Sequence, residues 1–175
     1  MKKSIFHYTR LLLGAAFIIC CFTFSTCKYG FRDAAPIPAE IKTFRVNYIE
    51  NKAQYINTQL SPNITEKLKQ KIIGITRLKQ TNDDNADYDI SGYVSQYYTQ
   101  TISISGNNSN GNRLTVGVHL VFRNNKDDKK NFEADLTRTF DYSANKSLSE
   151  AETELTSEIV KTLVDEIFNR IFSNW

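Results

Sequence analysis

Few side chains in this sequence could perform chemistry, and they form no recognised catalytic or metal-binding arrangement. Asp83, Asp84, Asp87 and Asp89 could offer oxygen ligands, but the glycine and closing glutamate of a calcium-binding EF-hand loop are absent at the required spacing. His119 falls on the predicted polar face of a strand, with no cysteine available to complete a zinc site. We therefore expect an acidic loop and a solvated or interface histidine, in a protein that is not an enzyme and binds no metal.

Cys27 is the exception, because it follows a segment with the layout of an export signal. A positively charged leader at 2–10 precedes an uncharged apolar run at 11–24, which is shorter than a membrane-spanning helix. The small residues at 25–26 then lead directly into Cys27, and this pattern resembles the lipobox at which bacterial lipoproteins are cleaved and lipidated. It predicts a signal peptide at 1–26 and a covalent lipid on Cys27, with no other cofactor.

Two further cysteines leave alternatives open. Cys20 and Cys21 lie inside the apolar run without small residues before them, so Cys27 is the preferred lipidation site. Phe24 and Thr26 differ from the Leu and the Gly or Ala that are usual at these places in a lipobox. The alternative is an uncleaved anchor in which all three cysteines are buried.

Cleavage before Cys27 would change the charge of the protein. The 26 residues removed contain three basic side chains and no acidic one, so the remaining 149 residues have 19 basic and 19 acidic side chains. A chain of this length is enough for one ordinary domain with a core. The basic excess belongs to the leader, so nucleic-acid binding loses its main support. Cys27 would be the only remaining cysteine, which excludes an intramolecular disulfide.

The first half of the remaining chain predicts a tether, a strand and a helix. The segment at 27–40 contains two prolines and little periodicity, typical of a tether. Residues 41–49 alternate between apolar and polar side chains, with Phe44, Val46 and Tyr48 on the apolar side. This alternation predicts a half-buried strand. Ser61 followed by Pro62 predicts a helix start. The apolar face of this helix is formed by Ile64, Leu68, Ile72 and Ile75.

Three longer strands and a final helix follow. The strands are predicted at 90–104, 114–122 and 132–142, with Asn110-Gly111 as a hairpin turn. A capping box at Ser147/Glu150 or at Ser149/Glu152 begins the helix. The alternation assigns Tyr98 to the apolar face of the sheet. It assigns the following residues to the polar face: Tyr93, Tyr97, Thr115, His119, Thr137 and Thr139.

The element order β-α-β-β-β-α predicts an α+β two-layer sandwich. Each strand has one apolar face and each helix one apolar stripe, so both helices are expected on one face of a four-stranded, mostly antiparallel sheet. This predicts a single domain at 41–175. Its other sheet face would stay open unless a partner covers it, and Tyr93 and Tyr97 are candidate partner contacts on that face.

Basic residues at strand ends and turns are candidate contacts for phosphate groups. These are Arg113, Arg123, Lys126, Lys129 and Lys130. The alternative is a solvated turn whose charge is balanced by neighbouring aspartates. A further arginine, at 138, lies in the apolar register of its strand, where it is expected to mark the sheet edge or to pair with a helix carboxylate.

Several stretches, taken together in their order and spacing, resemble the LptE lipopolysaccharide-assembly lipoproteins. They extend through essentially the whole chain after the leader: CKYGF at 27–31, IP at 37–38, ENKA at 50–53, NRLTV at 112–116, FRN at 122–124, DEIFNR at 165–170 and NW at 174–175. The fold of that family, two helices against a four-stranded sheet, agrees with the fold predicted from the periodicity.

The resemblance implies a non-catalytic lipoprotein anchored in the inner leaflet of the outer membrane, on the periplasmic side. Such proteins plug the lumen of the LptD β-barrel, assist its assembly and help pass lipopolysaccharide to the cell surface. The implied partners are an LptD-like barrel, lipopolysaccharide and the membrane, with no nucleic acid. The alternative is another outer-membrane lipoprotein with a similar α/β layer, such as an activator of cell-wall synthases or a secretion pilot.

Overall fold

The computed structural model describes residues 37–104 and 109–173. The predicted signal peptide, Cys27, most of the tether at 27–40 and Trp175 lie outside these residues. The described elements are β1 (Thr43–Val46), β2 (Glu50–Asn51), α1 (Leu60–Ile75), β3 (Lys79–Gln80), β4 (Tyr88–Ile104), β5 (Ser109–Asn124), a short 3-10 helix (Asp128–Lys130), β6 (Phe132–Ser143) and α2 (Leu148–Phe172).

The strands form one mixed sheet in the order β3-β1-β4-β5-β6, and β2 also pairs with β4. β1 runs parallel to β3 and β4, whereas β4, β5 and β6 form an antiparallel meander. Parallel neighbours need a crossover connection, which α1 provides between β1 and β3. The structure therefore confirms the α+β fold of two helices on one sheet, but it contains six strands instead of the predicted four.

The two additional strands arise in part because the predicted strand at 41–49 is interrupted. β1 ends at Val46 and β2 begins at Glu50, and both pair with β4. At the interruption Ile49 is buried and its backbone N–H donates to Thr65 Oγ1 of α1 at 3.1 Å. The alternation is lost there, so the prediction that Tyr48 faces the core is wrong, and its side chain is exposed.

α1 packs its predicted stripe on the sheet but begins earlier than the sequence suggested. Its first residue is Leu60, and Ser61 is buried inside the first turn instead of capping it. Pro62 is tolerated there because the first four N–H groups of a helix have no partner within the helix. At the other end Ile75, the last residue of α1, is exposed, contrary to prediction.

α2 begins at the capping box that the sequence offered as one of two choices. Glu150 N–H donates to Ser147 Oγ at 3.3 Å, and Ser147 N–H donates to Glu150 Oε2 at 2.8 Å. These bonds satisfy donors that a helix start leaves free. Its apolar stripe, including Ile159, Leu163 and Ile167, is buried in the core that the sheet shares with α1. None of the helices in residues 37–104 and 109–173 is long and apolar enough to cross a membrane.

A β-bulge in β4 changes which tyrosine faces the core. The pairing with β5 shifts between Val94 and Gln96, so the alternation reverses beyond this point. Tyr97 is consequently 2% exposed on the helix side of the sheet, and Tyr98 is 45% exposed on the opposite side. The predictions for both tyrosines are therefore wrong, because one extra residue in a strand moves every later side chain to the other face.

Candidate functional site

The sheet face that the helices leave uncovered, named here the open face, is the candidate functional site. By strand alternation it contains Tyr93 and, beyond the bulge, Tyr98 of β4, Arg113 and His119 of β5, and Asp135 of β6. Thr115, Thr137 and Thr139 share this face, as predicted, although Thr115 is buried. The face is thus built mainly from polar and aromatic side chains on the three longest strands.

A row of interacting side chains crosses the middle of the open face. Lys52 Nζ lies 4.8 Å from the centroid of the Tyr93 ring, and that ring stacks on His119 with centroids 5.0 Å apart. His119 Nδ1 lies 2.8 Å from Asp135 Oδ1, and its Nε2 lies 3.5 Å from Glu133 Oε2. The sequence did not reveal this row, because it depends on the register that places Tyr93, His119 and Asp135 side by side.

Arginine–carboxylate pairs border this row towards both ends of the sheet. Arg113 makes a two-bond contact with Asp141, at 2.6 and 2.8 Å, which raises the pKa of Arg113 and lowers that of Asp141. Arg45 makes a similar contact with Asp89, at 3.0 and 3.1 Å, and also bonds Asp84. Positive and negative groups are therefore matched locally in these two arginine–carboxylate contacts.

Tyr97 lies on the opposite side of the sheet in a polar cluster. Its hydroxyl donates to Glu152 Oε1 of α2 at 2.8 Å and accepts from Asn57 Nδ2 at 3.2 Å. Tyr55 stacks on the Tyr97 ring with centroids 5.5 Å apart. Burial, followed by the bond to Glu152, raises the pKa of Tyr97. This side chain ties β4 to α2 and is not available on the open face as the sequence predicted.

The predicted basic cluster is only partly brought together. Arg123, Lys126, Lys129 and Lys130 lie at the end of β5 and in the turn that leads to β6. Arg113 is ten residues away along β5, roughly 33 Å for an extended strand, and is paired with Asp141. Whether any of these residues, or Tyr93, contacts a partner or lipopolysaccharide stays a prediction.

The turn itself is built on hydrogen bonds to asparagine side chains. Asn124 is buried, and its Oδ1 accepts from the backbone N–H of Lys126 at 2.9 Å and of Asp127 at 3.2 Å. Asn131 Oδ1 accepts from the N–H of Asn124 at 2.7 Å. Lys130 lies 3.9 Å from Asp127, a weak pair, so aspartates in the turn balance its charge only in part.

Asp87 connects this turn to the beginning of β1. Its Oδ2 accepts from the backbone N–H of Lys42 at 2.8 Å and of Thr43 at 3.0 Å, and its Oδ1 lies 3.2 Å from Lys126 Nζ. Burial opposes ionisation of this carboxyl, but the two backbone donors, Lys126 and the Thr43 hydroxyl outweigh it and lower the pKa to about 2. All of these contacts of Asp87 are with residues of the protein itself, so its role is structural. One of them fixes the position of Lys126.

Two other predictions concern Arg138 and the acidic loop. Arg138 pairs with Glu166 of α2, with Nη2 2.7 Å from Oε1, and it lies on the edge strand, so both structural expectations are confirmed. The aspartates at 83–89 form turn and ion-pair contacts. In the part of the chain that the structure describes, no three His, Cys, Asp or Glu side chains are grouped closely enough to hold a metal.

Comparison with known proteins places this arrangement in a family. No curated protein matches the chain. A minor lipoprotein from Acinetobacter baumannii is similar in structure, with a TM-score of 0.50 and 18% identity, over 75% of this chain and 92% of that one. The hypothetical protein CT253 of Chlamydia trachomatis also has a TM-score of 0.50, with 8% identity, over 74% of this chain and 95% of that one.

At these identities the two structures show a shared fold and no more. The family model described as LptE, lipopolysaccharide-assembly, matches residues 41–171. This range spans every described strand and all but the last residue of α2. The chain therefore belongs to the LptE lipopolysaccharide-assembly family.

Proposed function

We propose that this protein is a lipid-anchored, non-catalytic subunit that occupies the lumen of an LptD-like outer-membrane β-barrel. In this position it would assist assembly of the barrel and the passage of lipopolysaccharide to the cell surface. The lipid on Cys27 would hold the domain at the periplasmic side of the outer membrane. Family membership and the character of the open face support this proposal.

The observation on which the proposal depends most is the local charge matching of the open face. The lumen of a large outer-membrane barrel is polar, so a plug should present polar surface without large apolar patches. On the open face Arg45 pairs with Asp89, and Arg113 pairs with Asp141. Such pairs leave polar groups available for a partner without the desolvation penalty of unpaired charges.

Affinity purification from mildly solubilised envelopes tests the partner. We expect the tagged protein to recover an LptD-like barrel, and Tyr98→Glu to reduce that recovery because it adds an unpaired carboxylate to the open face. Ile73→Glu is the matched control, since Ile73 is similarly exposed on α1. Stable recovery of peptidoglycan enzymes without a barrel, together with normal lipopolysaccharide export on depletion, would contradict the proposal.

Mass spectrometry of the mature N-terminus tests the anchor separately. We expect an acylated Cys27 with residues 1–26 removed. Two or more acyl chains would hold the protein at the membrane effectively permanently, since each buried methylene contributes about 0.8 kcal/mol. Cys27→Ala should release the protein from membranes that lack the barrel, and continued tight binding of that variant would refute the lipid anchor.

A further inference from the structure

The edge strand β6 has backbone N–H and C=O groups on its outer side, and the proposed function assigns no role to them. Among the described residues β6 pairs only with β5, so one side of its 12 residues has no strand partner. The register with β5 is continuous from Phe132 to Ser143, without a bulge, and the strand contains no proline or glycine. β6 therefore lacks two of the devices that prevent strand addition at an edge, a bulge and a proline, although it carries charged side chains at Glu133, Asp135, Arg138 and Asp141.

A groove of about 450 Å³ lies between this edge and α2. Leu136 and Arg138 of β6 line one side, and Thr162, Asp165, Glu166, Asn169 and Arg170 of α2 line the other. Arg138 binds Glu166 Oε1, but Glu166 Oε2 is buried and has no hydrogen-bond partner among the described residues. An acceptor oxygen of this kind is expected to bind a donor, so the groove favours an N–H-bearing side chain.

On the open-face side of the edge, the charge also favours a basic occupant. On the open-face side Glu133 and Asp135 have side chains that are 65% and 77% exposed, and they share one histidine. A strand added to β6 would place its alternate side chains directly beside these carboxylates. Lysine or arginine at those places would therefore be stabilising, and acidic residues would be repelled.

A second copy of this chain is a poorer occupant. An antiparallel pair of β6 strands centred on Thr137 would bring Glu133 opposite Asp141, and one centred on Arg138 would bring Asp135 opposite Asp141. Like charges directly opposite one another destabilise a strand pair. The charge pattern of β6 thus favours a basic partner strand and disfavours self-association in these two registers.

We propose that the free edge of β6 receives an extended, basic segment of the barrel subunit, which adds a strand to the sheet and donates a side-chain N–H to Glu166. Backbone hydrogen bonds supply the attraction in this mode of recognition, and alternate side chains supply the specificity. This inference rests on the proposed function, because it takes the barrel subunit as the partner.

Site-specific photo-crosslinking in cells tests it. A photoreactive residue at Thr137 or Thr139 should capture the barrel through a segment rich in lysine or arginine, identified by mass spectrometry. The charge reversal Glu133→Lys with Asp135→Lys should lower that yield roughly tenfold, since it changes two cross-strand charge pairs. Glu66→Lys with Glu158→Lys is the matched control, with the same charge change on exposed helix positions, and should leave the yield unchanged.

Hydrogen exchange in the purified complex measures whether the backbone amides of β6 form new hydrogen bonds. Amides of β6 should exchange more slowly in the complex than in the free protein, and crosslinking without such protection would overturn strand addition. Capture of the barrel from Lys67 on α1 but not from β6 would overturn the inference and leave the proposed function intact. Failure of the barrel to co-purify at all would refute the proposed function, and capture of a second copy would refute the assigned occupant.

Discussion

At the scale of single residues, Asp87 shows how one buried carboxylate joins segments that are distant in sequence. It binds the backbone at Lys42 and Thr43 and the side chain of Lys126, so it fixes the beginning of β1 against the turn after β5. The sequence placed Asp87 in an acidic loop with Asp83 and Asp84. Its role differs from theirs because its side chain is turned into the protein and accepts several hydrogen bonds.

The lowered pKa of Asp87 predicts a specific pH dependence of stability. Its folded pKa of about 2 lies below the ordinary value of 3.8, so its contribution is present above pH 3.8 and is lost as the pH falls through 2. The shift corresponds to about 2 kcal/mol. Urea denaturation should show that Asp87→Asn lowers the free energy of unfolding at pH 7, and that the gap to wild type narrows below pH 4. A gap independent of pH would contradict this role.

At the scale of elements, the bulge in β4 is fixed by its neighbour on β5. Gly117 pairs with Gln96 at the end of the register shift, and a Cβ at position 117 would lie 3.0 Å from Gln96 Cβ and 3.2 Å from Ser95 Oγ. Glycine therefore gives the extra residue of the bulged strand the space that it needs. The bulge in turn directs Tyr97 towards Glu152 and the start of α2.

Alanine substitutions at the two tyrosines after the bulge should differ strongly in effect. Tyr97→Ala removes a buried ring and leaves Asn57 and Glu152 without a shared partner, so it should lower the free energy of unfolding by about 3–5 kcal/mol. Tyr98→Ala removes an exposed ring and should change it by less than about 1 kcal/mol. Chemical denaturation of both variants measures this, and a larger loss for Tyr98→Ala than for Tyr97→Ala would mean that the alternation does not reverse.

At the scale of the whole molecule, Arg77 joins the segment before β1 to the end of α1. Arg77 follows α1, and its Nη2 donates to the carbonyl oxygens of Ile37 at 2.7 Å and Pro38 at 2.6 Å. Its Nη1 donates to the carbonyl oxygen of Ile41 at 3.3 Å. This contact fixes the segment before β1 beside the β3–β1 edge, whereas β6 lies at the opposite edge of the sheet.

Loss of this contact should loosen the beginning of the domain without unfolding it. In Arg77→Gln we expect faster limited proteolysis within 37–41, since the three carbonyl oxygens lose their charged donor. The free energy of unfolding should fall by no more than about 1 kcal/mol, because Arg77 is exposed. Lys67→Gln, which removes a charge from exposed α1 surface, should leave the cleavage rate unchanged. Identical proteolysis of both variants would show that Arg77 does not hold the segment.

The amino-acid sequence by itself determined the two helices, the three long strands and the two-layer arrangement, and it limited the start of α2 to two possible capping boxes. These follow from local patterns: the alternation of Leu114, Val116 and Val118, the helical spacing of Ile159 and Leu163, and the Ser147/Glu150 pair. Each pattern depends only on residues a few positions apart. It therefore predicts the same element in any tertiary structure that covers its apolar side.

Only the tertiary structure decided which side chains occupy the open face and the edges of the sheet. A bulge displaced Tyr97 and Tyr98, and an interruption between β1 and β2 displaced Tyr48, although the sequence around each position continues its alternation. The row from Lys52 through His119 to Asp135 exists because of strand register. Register and bulges depend on backbone pairing between distant segments, and a shift of one residue reverses the faces without any change in local sequence.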